Sequence, residues 1–219
     1  MQIDFNRYKN NNNSKKAIVA IHGWGGNKDS FLPFVRNLKI DNVEWFLPEA
    51  PYLMDDAPPI QNTGVGINNK SNQKSWTYKK KDGTWEVREP MIMMDLFFNN
   101  VVFNEYESKD VYVIGFSQGA AVCYEYIMGV EKQFGGIFPI GGFFFKYSKK
   151  AKRVSEDNKN TPIIIGHGTK DDIIPIEKSE EAFNQLSKEG ANVDIYKYNG
   201  GHKISMNFLR RIIEVINGK

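Results

Sequence analysis

The segment Gly115–Gly119, with the sequence Gly-Phe-Ser-Gln-Gly, has the composition of a turn that presents a nucleophilic serine. An apolar run at residues 111–114 precedes it, and a helix-like segment at residues 120–130 follows it. A serine on such a tight strand-to-helix turn is open for attack on an acyl carbon, and the flanking glycines let neighbouring backbone pass close by. A helix cap is the simpler role for Ser117, but the strand before it and the helix after it favour a nucleophile.

Three histidines compete for the role of the base: His22, His167 and His202. When a serine triad is built on a strand–helix turn of this kind, its members follow the chain order serine, acid, histidine. His202 alone lies late enough, in a glycine-rich turn after the last apolar run. The acid is Asp171 or Asp172, and their spacing does not separate them. His167 precedes both acids, so we expect it to order its own loop.

A second glycine-rich segment, His22–Gly26, follows the apolar run at residues 17–21. Its glycines let the backbone curl toward a reacting centre, where it could offer an N–H group to an oxyanion. We therefore predict the main-chain N–H groups of Trp24 and Gln118 as the two oxyanion donors. A phosphate-binding loop is the rival interpretation, but the segment has neither the GK[ST] ending nor the G-x-G-x-x-G spacing.

The elements that must position these residues alternate between strand-like and helix-like patterns. Apolar runs rich in β-branched residues predict strands at residues 17–21, 43–47, 111–114, 136–140, 162–166 and 193–198. Helical spacing of apolar residues predicts helices at residues 31–38, 91–106, 120–130, 176–188 and 204–216. Such alternation predicts an α/β fold with a mostly parallel central sheet and helices on both faces.

The connection at residues 52–90 interrupts this rhythm, because it is long and rich in Pro, Gly, Asn and Lys. A connection of that length in a compact domain usually carries function. We interpret it as a lid-like or substrate-loop excursion from a single domain that spans residues 1–219. Asp82-Gly83 predicts a small hairpin within it.

Composition excludes several classes of protein. The 219 residues carry a formal net charge of +3, which is too small to indicate nucleic-acid binding. We interpret the basic clusters at residues 79–81 and 149–153 as solvated surface. The single cysteine, Cys123, excludes a framework of intrachain disulfides. No run approaches the roughly 18 apolar residues of a membrane span, and the N-terminal residues lack a signal-like apolar core. We expect a cytoplasmic protein without stable membrane insertion.

Taken together, these motifs resemble the phospholipase/carboxylesterase family, which includes the acyl-protein thioesterases. The resemblance rests on residues 115–120, on residues 22–25, on the pattern His-Gly-x-x-Asp-x-x-Ile-Pro at residues 167–175, on Pro48–Pro51 and on Ser75-Trp76. It implies the α/β-hydrolase fold and selects Asp171 as the acid. It also implies oxyanion donors at Trp24 and Gln118, ester or thioester substrates with apolar acyl chains, and no metal or organic cofactor.

The resulting hypothesis is a serine hydrolase that acts through an acyl-enzyme on a small-molecule or acylated substrate, as a monomer or homodimer. Trp76, Phe143 and Phe144 are the candidates for an apolar substrate groove. A carboxylesterase of broad specificity for small esters is the alternative within the enzyme class. Two alternatives without turnover are a hydrolase-fold receptor for a small ligand and a scaffold or lipid-binding module. The excursion and Glu49 both depart from the family pattern.

Overall fold

The computed structural model describes residues 3–9, 13–38, 40, 42–54, 72–145 and 150–218. The strands in these ranges are β1 (Phe5–Lys9), β2 (Lys16–Ile21), β3 (Val43–Pro48), β4 (Tyr52–Leu53), β5 (Lys74–Ser75), β6 (Val111–Phe116), β7 (Gly136–Ile140), β8 (Ile163–Gly168) and β9 (Val193–Tyr198). Within the described residues, seven of them form a central sheet in the order β1-β3-β2-β6-β7-β8-β9. Only β1 in this sheet is antiparallel to its neighbour, so the predicted mostly parallel sheet is confirmed.

Helices cover both faces of the sheet, as predicted. They are α1 (Leu32–Asn37), α2 (Arg88–Phe97), α3 (Phe103–Glu105), α4 (Gln118–Glu125), α5 (Glu177–Lys188) and α6 (Met206–Ile216). Helices α1 and α6 pack on one face, and α2 to α5 pack on the other, so that two apolar clusters lie on either side of the sheet. A π-helical turn, Phe98–Val102, joins α2 to α3, and α2 begins before the predicted residue 91.

Strand β2 illustrates why the core strands have nearly continuous apolar sequences. Its residues from Ala17 to Ile21 are at most 1% exposed. Ala17, Val19 and Ile21 belong to one apolar cluster, whereas Ile18 and Ala20 belong to the other. Because successive side chains of a strand point to opposite faces, a strand covered on both sides must be apolar at every position.

The edge strand β1 was not predicted, because its sequence is polar. Its register with β3 places Arg7 opposite Phe46. The guanidinium of Arg7 lies 5.1 Å from the centre of the Phe46 ring, and its Nε donates to the fully buried Glu44 carboxylate over 2.6 Å. Glu44 also accepts a 2.6 Å hydrogen bond from the Tyr106 hydroxyl. Ion pairing therefore adds to the main-chain ladder with β3 and to the packing of Phe5 and Tyr8 on the two apolar clusters.

The excursion is described at residues 52–54 and 72–90. Strands β4 and β5 form a short antiparallel ladder within it. The predicted hairpin is confirmed: Lys79 and Trp85 form an antiparallel bridge, the Lys80 N–H donates to the Thr84 carbonyl over 2.7 Å, and Gly83 has φ +81°. Residues 55–71 of the predicted lid-like excursion at residues 52–90 lie outside the described residues. Among the helices that the structure describes, none has the length and apolar character needed to cross a bilayer.

Candidate active site

Ser117 occupies a strained turn between β6 and α4. Its backbone angles are φ 54° and ψ −113°, in a region that residues other than glycine rarely adopt. Its main-chain N–H donates to the Ile140 carbonyl of β7 over 2.8 Å. The packing around it requires glycine, because a Cβ on Gly119 would lie 2.1 Å from the Ile21 carbonyl oxygen, and one on Gly115 would lie 2.4 Å from that of Gly119. The turn therefore presents the serine where α4 lies in close main-chain contact with the sheet.

A short hydrogen bond joins His202 to Asp171. The distance between His202 Nδ1 and Asp171 Oδ2 is 2.7 Å, and the Asp171 side chain is 1% exposed. The other carboxylate oxygen, Oδ1, accepts hydrogen bonds from the main-chain N–H groups of Ile173 and Ile174 at 3.0 and 2.9 Å. A carboxylate only accepts, so Nδ1 carries the proton, and the Nε2 atom of the neutral imidazole is left as a base.

Ser117 and His202 lie at the same rim of the sheet, at the carboxyl ends of the parallel strands. Gly141 follows Ile140, the residue that accepts the Ser117 N–H bond, and a Cβ on Gly141 would lie 3.4 Å from His202 Nδ1. The Phe116 ring packs against the His202 ring with centroids 4.9 Å apart. The contacts of the described residues include no hydrogen bond between the Ser117 hydroxyl and the imidazole.

The two candidate acids have different surroundings. Asp172 is exposed, whereas Asp171 is the one that faces the imidazole. His167 is fully buried behind Asp171, with Nε2 at 2.9 Å from the Ile174 carbonyl oxygen and 3.4 Å from Asp171 Oδ2. Its Nδ1 lies 2.6 Å from the Ser179 hydroxyl oxygen. His167 thus connects both ends of the acid loop to α5, which agrees with its predicted loop-ordering role.

The two predicted oxyanion donors come from separate elements. Gln118 is the first residue of α4, and Trp24 lies in the loop after β2. Neither main-chain N–H has an acceptor among the residues that the structure describes. The loop backbone is next to the nucleophile, because a Cβ on Gly23 would lie 3.2 Å from the Ser117 Cβ. Both amides are thus available beside the serine.

His22 holds the start of that loop through both ring nitrogens. It is 1% exposed; Nε2 accepts from the Ala50 main-chain N–H over 3.0 Å, and Nδ1 lies 2.7 Å from the Gly23 carbonyl oxygen. These partners require the neutral ring with the proton on Nδ1. Burial lowers the pKa of His22 from 6.5 to about 4, which keeps the ring neutral at physiological pH.

Trp76 does not line an open groove. Its side chain is completely buried, its Nε1–H donates to the His22 carbonyl over 2.9 Å, and its ring centroid is 5.3 Å from that of His22. The expectation that Trp76 forms a groove wall is therefore wrong, because the indole is needed beneath the loop that follows β2. Its position beside the site follows from the resemblance, but its burial does not.

The two aromatic residues predicted for the groove, Phe143 and Phe144, make different contacts. Phe143 is half-buried and packs edge-on against the buried Phe145 with centroids 5.9 Å apart. Phe144 lies between Tyr124, at 5.1 Å, and the Arg153 guanidinium, at 3.9 Å from its ring centre. Both rings are half-buried, so both remain groove candidates.

Arg153 differs from its predicted place in a solvated basic surface. It is 6% exposed, and its Nη1 lies 3.3 Å from a carboxylate oxygen of Glu125, which is also buried. The stacked Phe144 ring and this carboxylate together account for the burial of a guanidinium.

Sequence reasoning missed two contacts at the site. The packing of Phe116 on the imidazole could not be inferred, because Phe116 is at a variable position of the serine motif. The Ser179 hydroxyl behind His167 lies in a helix whose sequence shows only its amphipathic pattern. Among the residues described, no group of three or more His, Cys, Asp or Glu side chains could hold a metal ion.

With this geometry established, comparison with known proteins gives the family. The family described as Phospholipase/Carboxylesterase matches residues 8–218. The chain belongs to this family. Membership in the phospholipase/carboxylesterase family confirms the resemblance identified in the sequence, and it places the chain among hydrolases of the esterase and thioesterase type.

Curated relatives cover most of the length of this chain. An acyl-protein thioesterase 1 of Kluyveromyces lactis is 25% identical over 213 residues, with 93% of this chain and 92% of the relative covered. An acyl-protein thioesterase 1 of Emericella nidulans is 30% identical over 232 residues, with 92% of each covered. Carboxylesterase SOBER1 of Arabidopsis thaliana is 25% identical over 205 residues, covering 91% of this chain and 88% of the relative.

Solved structures confirm the α/β-hydrolase fold of the chain. The crystal structure of Arabidopsis thaliana SOBER1 aligns with a TM-score of 0.72 at 22% identity and covers 93% of this chain and 98% of that one. The Bacillus cereus carboxylesterase aligns with a TM-score of 0.73 at 18% identity and covers 99% and 94%.

The buried neutral His22 predicts a pH-dependent loss of stability. Its pKa is about 4 in the fold, against 6.5 ordinarily, so the unfolded chain takes up a proton over a pH range in which the folded chain does not. The stability contribution is complete above about pH 6.5 and is lost as the pH falls toward 4, by about 3 kcal/mol in all.

The measurement is the free energy of unfolding by urea at several pH values, for the wild type and for His22→Gln. Subtracting the two curves cancels the other titrating groups. The wild type should lose stability more steeply than the variant between pH 6.5 and 4. Parallel curves would contradict the assignment of a neutral buried ring.

Proposed function

We propose that the chain is a serine hydrolase that cleaves carboxylic esters or thioesters through Ser117, His202 and Asp171. The observation that carries the proposal is the 2.7 Å hydrogen bond between His202 Nδ1 and Asp171 Oδ2, located at the same rim as the strained Ser117 turn. With the proton on Nδ1, His202 Nε2 is the atom that acts as the base in this proposal. Family membership supports the same class of chemistry.

In the first half of the reaction, His202 Nε2 accepts the hydroxyl proton while Ser117 Oγ attacks the acyl carbon. The carbonyl electron pair moves to oxygen, where the N–H groups of Trp24 and Gln118 stabilise the negative charge. Each such donor contributes about 3 kcal/mol to the transition state. The intermediate collapses, the bond to the leaving oxygen or sulfur breaks, and the imidazolium returns the proton to that leaving group.

In the second half, water attacks the acyl-enzyme. His202 accepts a proton from the water, the same two amides stabilise the second oxyanion, and the proton then returns to Ser117 Oγ as the acid leaves. Asp171 orients the ring and stabilises the imidazolium through the Nδ1 hydrogen bond in both halves. Its two main-chain hydrogen bonds, from Ile173 and Ile174, hold the carboxylate while the charge on the ring changes.

The substrate in this proposal has an apolar acyl group. The relatives named acyl-protein thioesterase 1 and carboxylesterase support an ester or thioester, and the half-buried Phe143 is an apolar side chain after β7 that could contact the acyl chain. The proposal includes a cytoplasmic location and a small-molecule or acylated partner.

A carboxylesterase for small esters is the second candidate. It is favoured by the burial of Trp76, which removes one expected groove wall from the described part of the site. Both candidates share the triad and the acyl-enzyme, so acyl-chain length separates them.

Ser117→Ala should lower kcat by about 10⁴-fold or more, because no other group at the turn can form the acyl-enzyme. The unfolding free energy should change by less than about 1 kcal/mol. Hydrolysis of a p-nitrophenyl ester and covalent labelling by a fluorophosphonate, with the labelled residue mapped by mass spectrometry, measure both. Ser187→Ala, at an exposed position of α5, is the control. Labelling elsewhere, or binding without turnover, would contradict the proposal and favour a receptor.

Asp171→Asn should lower kcat by roughly 10³- to 10⁴-fold, because the amide cannot hold the imidazole in the tautomer with the proton on Nδ1. Asp172→Asn, a matched change at the exposed neighbour, should stay within about threefold of the wild type, as expected for a solvated carboxylate. Steady-state kinetics of the two variants decide between the acids. Equal losses in both would remove the assignment of Asp171.

A series of p-nitrophenyl esters and matched thioesters from acetyl to palmitoyl tests the acyl preference. If an apolar groove binds the acyl chain, each buried methylene should stabilise the transition state by about 0.8 kcal/mol. The value of kcat/KM should then rise roughly fourfold for each methylene added. Phe143→Ala should reduce this slope if the Phe143 ring contacts the acyl chain. A maximum at acetyl would identify a small-ester carboxylesterase.

A further inference from the structure

The two candidate oxyanion amides belong to elements that are far apart in the sequence. One is on Trp24, in the loop after β2, and the other is on Gln118, at the start of α4. An oxyanion site works only when both donors lie at hydrogen-bond distance from one developing charge. Some part of the chain must therefore set the spacing between the loop and the helix. Residues 74–76 lie between them.

The Gln118 side chain holds this segment from the helix side. Its Oε1 accepts the Trp76 main-chain N–H over 2.8 Å, and its Nε2 lies 3.1 Å from the Ser75 hydroxyl oxygen. The N–H can only donate, which fixes the orientation of the carboxamide. Gln118 is 4% exposed, and Ser75 and Trp76 are fully buried, so water does not compete for these bonds.

The segment in turn holds the loop. The Trp76 indole N–H donates to the His22 carbonyl over 2.9 Å. Beside it, the Gly25 N–H donates to the Lys74 carbonyl and the Lys74 N–H donates to the Gly26 carbonyl, each over 2.9 Å. Hydrogen bonds therefore reach the loop on both sides of Trp24, the residue whose own N–H remains available.

We propose that the Gln118 carboxamide and the Trp76 indole are positioning groups that set the separation of the Trp24 and Gln118 main-chain N–H groups. This inference rests on the proposed function. Gln118 supplies one amide, and its side chain also binds residues 75 and 76. These residues and Lys74 in turn bind the loop that supplies the Trp24 amide. Small displacements of a donor weaken transition-state stabilisation more than substrate binding, because the charge on the oxygen develops only in the transition state.

The test is Trp76→Phe, which removes the indole N–H while keeping an aromatic ring. With an ester substrate, kcat should fall by at least about fivefold and at most about 100-fold, and KM should stay within about threefold of the wild type. The upper bound follows because displacing an oxyanion donor cannot reduce kcat by more than deleting that donor would. Inhibition by an alkyl trifluoromethyl ketone, which forms an oxyanion on the serine, should weaken by the same factor. Rates are normalised to active sites by fluorophosphonate titration at completion.

Trp45→Phe is the matched control. Trp45 is also fully buried and loses the same volume, but its Nε1 has no hydrogen-bond partner among the described residues, and it packs on the opposite face of the sheet. Its kcat per active site should stay within about threefold of the wild type. A general effect of core loosening would lower both variants alike and would overturn the proposal.

Gln118→Met provides a second, independent variant that removes both polar atoms at nearly constant volume. The carboxamide and the indole act through the same chain of hydrogen bonds. The loss of kcat in the double variant should therefore be little greater than the larger of the two single-variant losses. Independent losses that multiply would overturn the single connection.

The outcomes separate this inference from the proposed function. Trp76→Phe with a loss of kcat below about fivefold, or with the loss confined to KM, overturns the positioning role while Ser117-dependent turnover of the wild type leaves the hydrolase assignment standing. A wild type whose turnover does not depend on Ser117 refutes both.

Discussion

The geometry of the site depends on close contact between the loops that follow β8 and β9. Gly168 ends β8, and a Cβ there would lie 2.3 Å from the Gly200 carbonyl oxygen. The Thr169 N–H donates to the Tyr198 carbonyl over 2.8 Å, and the Lys170 N–H donates to that of Gly200 over 2.9 Å. Only with backbone against backbone can the carboxylate of the next residue reach the imidazole of His202. The acid–base pair is thus a product of main-chain packing.

Close main-chain packing also positions the nucleophile between β6 and α4. Gly119 lies against the carbonyl of Ile21, and the sheet beneath is packed on both faces by apolar side chains. A rigid base of this kind can hold Ser117 at φ 54°, because strain at one residue persists only when the surrounding structure determines it. The buried His22 and Trp76 extend this rigidity to the loop that carries Trp24.

Much of the fold could be predicted, because strands buried on two faces are apolar at every position and helices on a sheet have an apolar stripe. Strands β7 and β9 have the predicted bounds, and the ends of the other parallel strands differ from the predicted ones by at most two residues. Strand β1 was not predicted, because its sequence, Phe-Asn-Arg-Tyr-Lys, has no continuous apolar run. The interruption of α2 by a π-helical turn leaves no mark in an amphipathic pattern.

At the site, the serine motif and the chain order nominated Ser117 and His202, and the resemblance chose Asp171. The roles of the Trp76 and Gln118 side chains could not be predicted from the sequence. Trp76 was expected in a groove, yet a buried indole and an exposed one have the same sequence signature. The contacts of Gln118 with residues 75 and 76 join segments more than forty residues apart, and no local pattern reports such a pairing.

The polar character of β1 also bears on how the molecule meets its neighbours. An edge strand with free main-chain groups can accept a strand from another chain and so start edge-to-edge aggregation. Arg7 and Lys9 keep 38% and 42% of their side chains exposed while pairing with Glu44. Cationic side chains along an outer edge oppose that addition. The ion pairs that attach β1 therefore also protect the sheet from unwanted association.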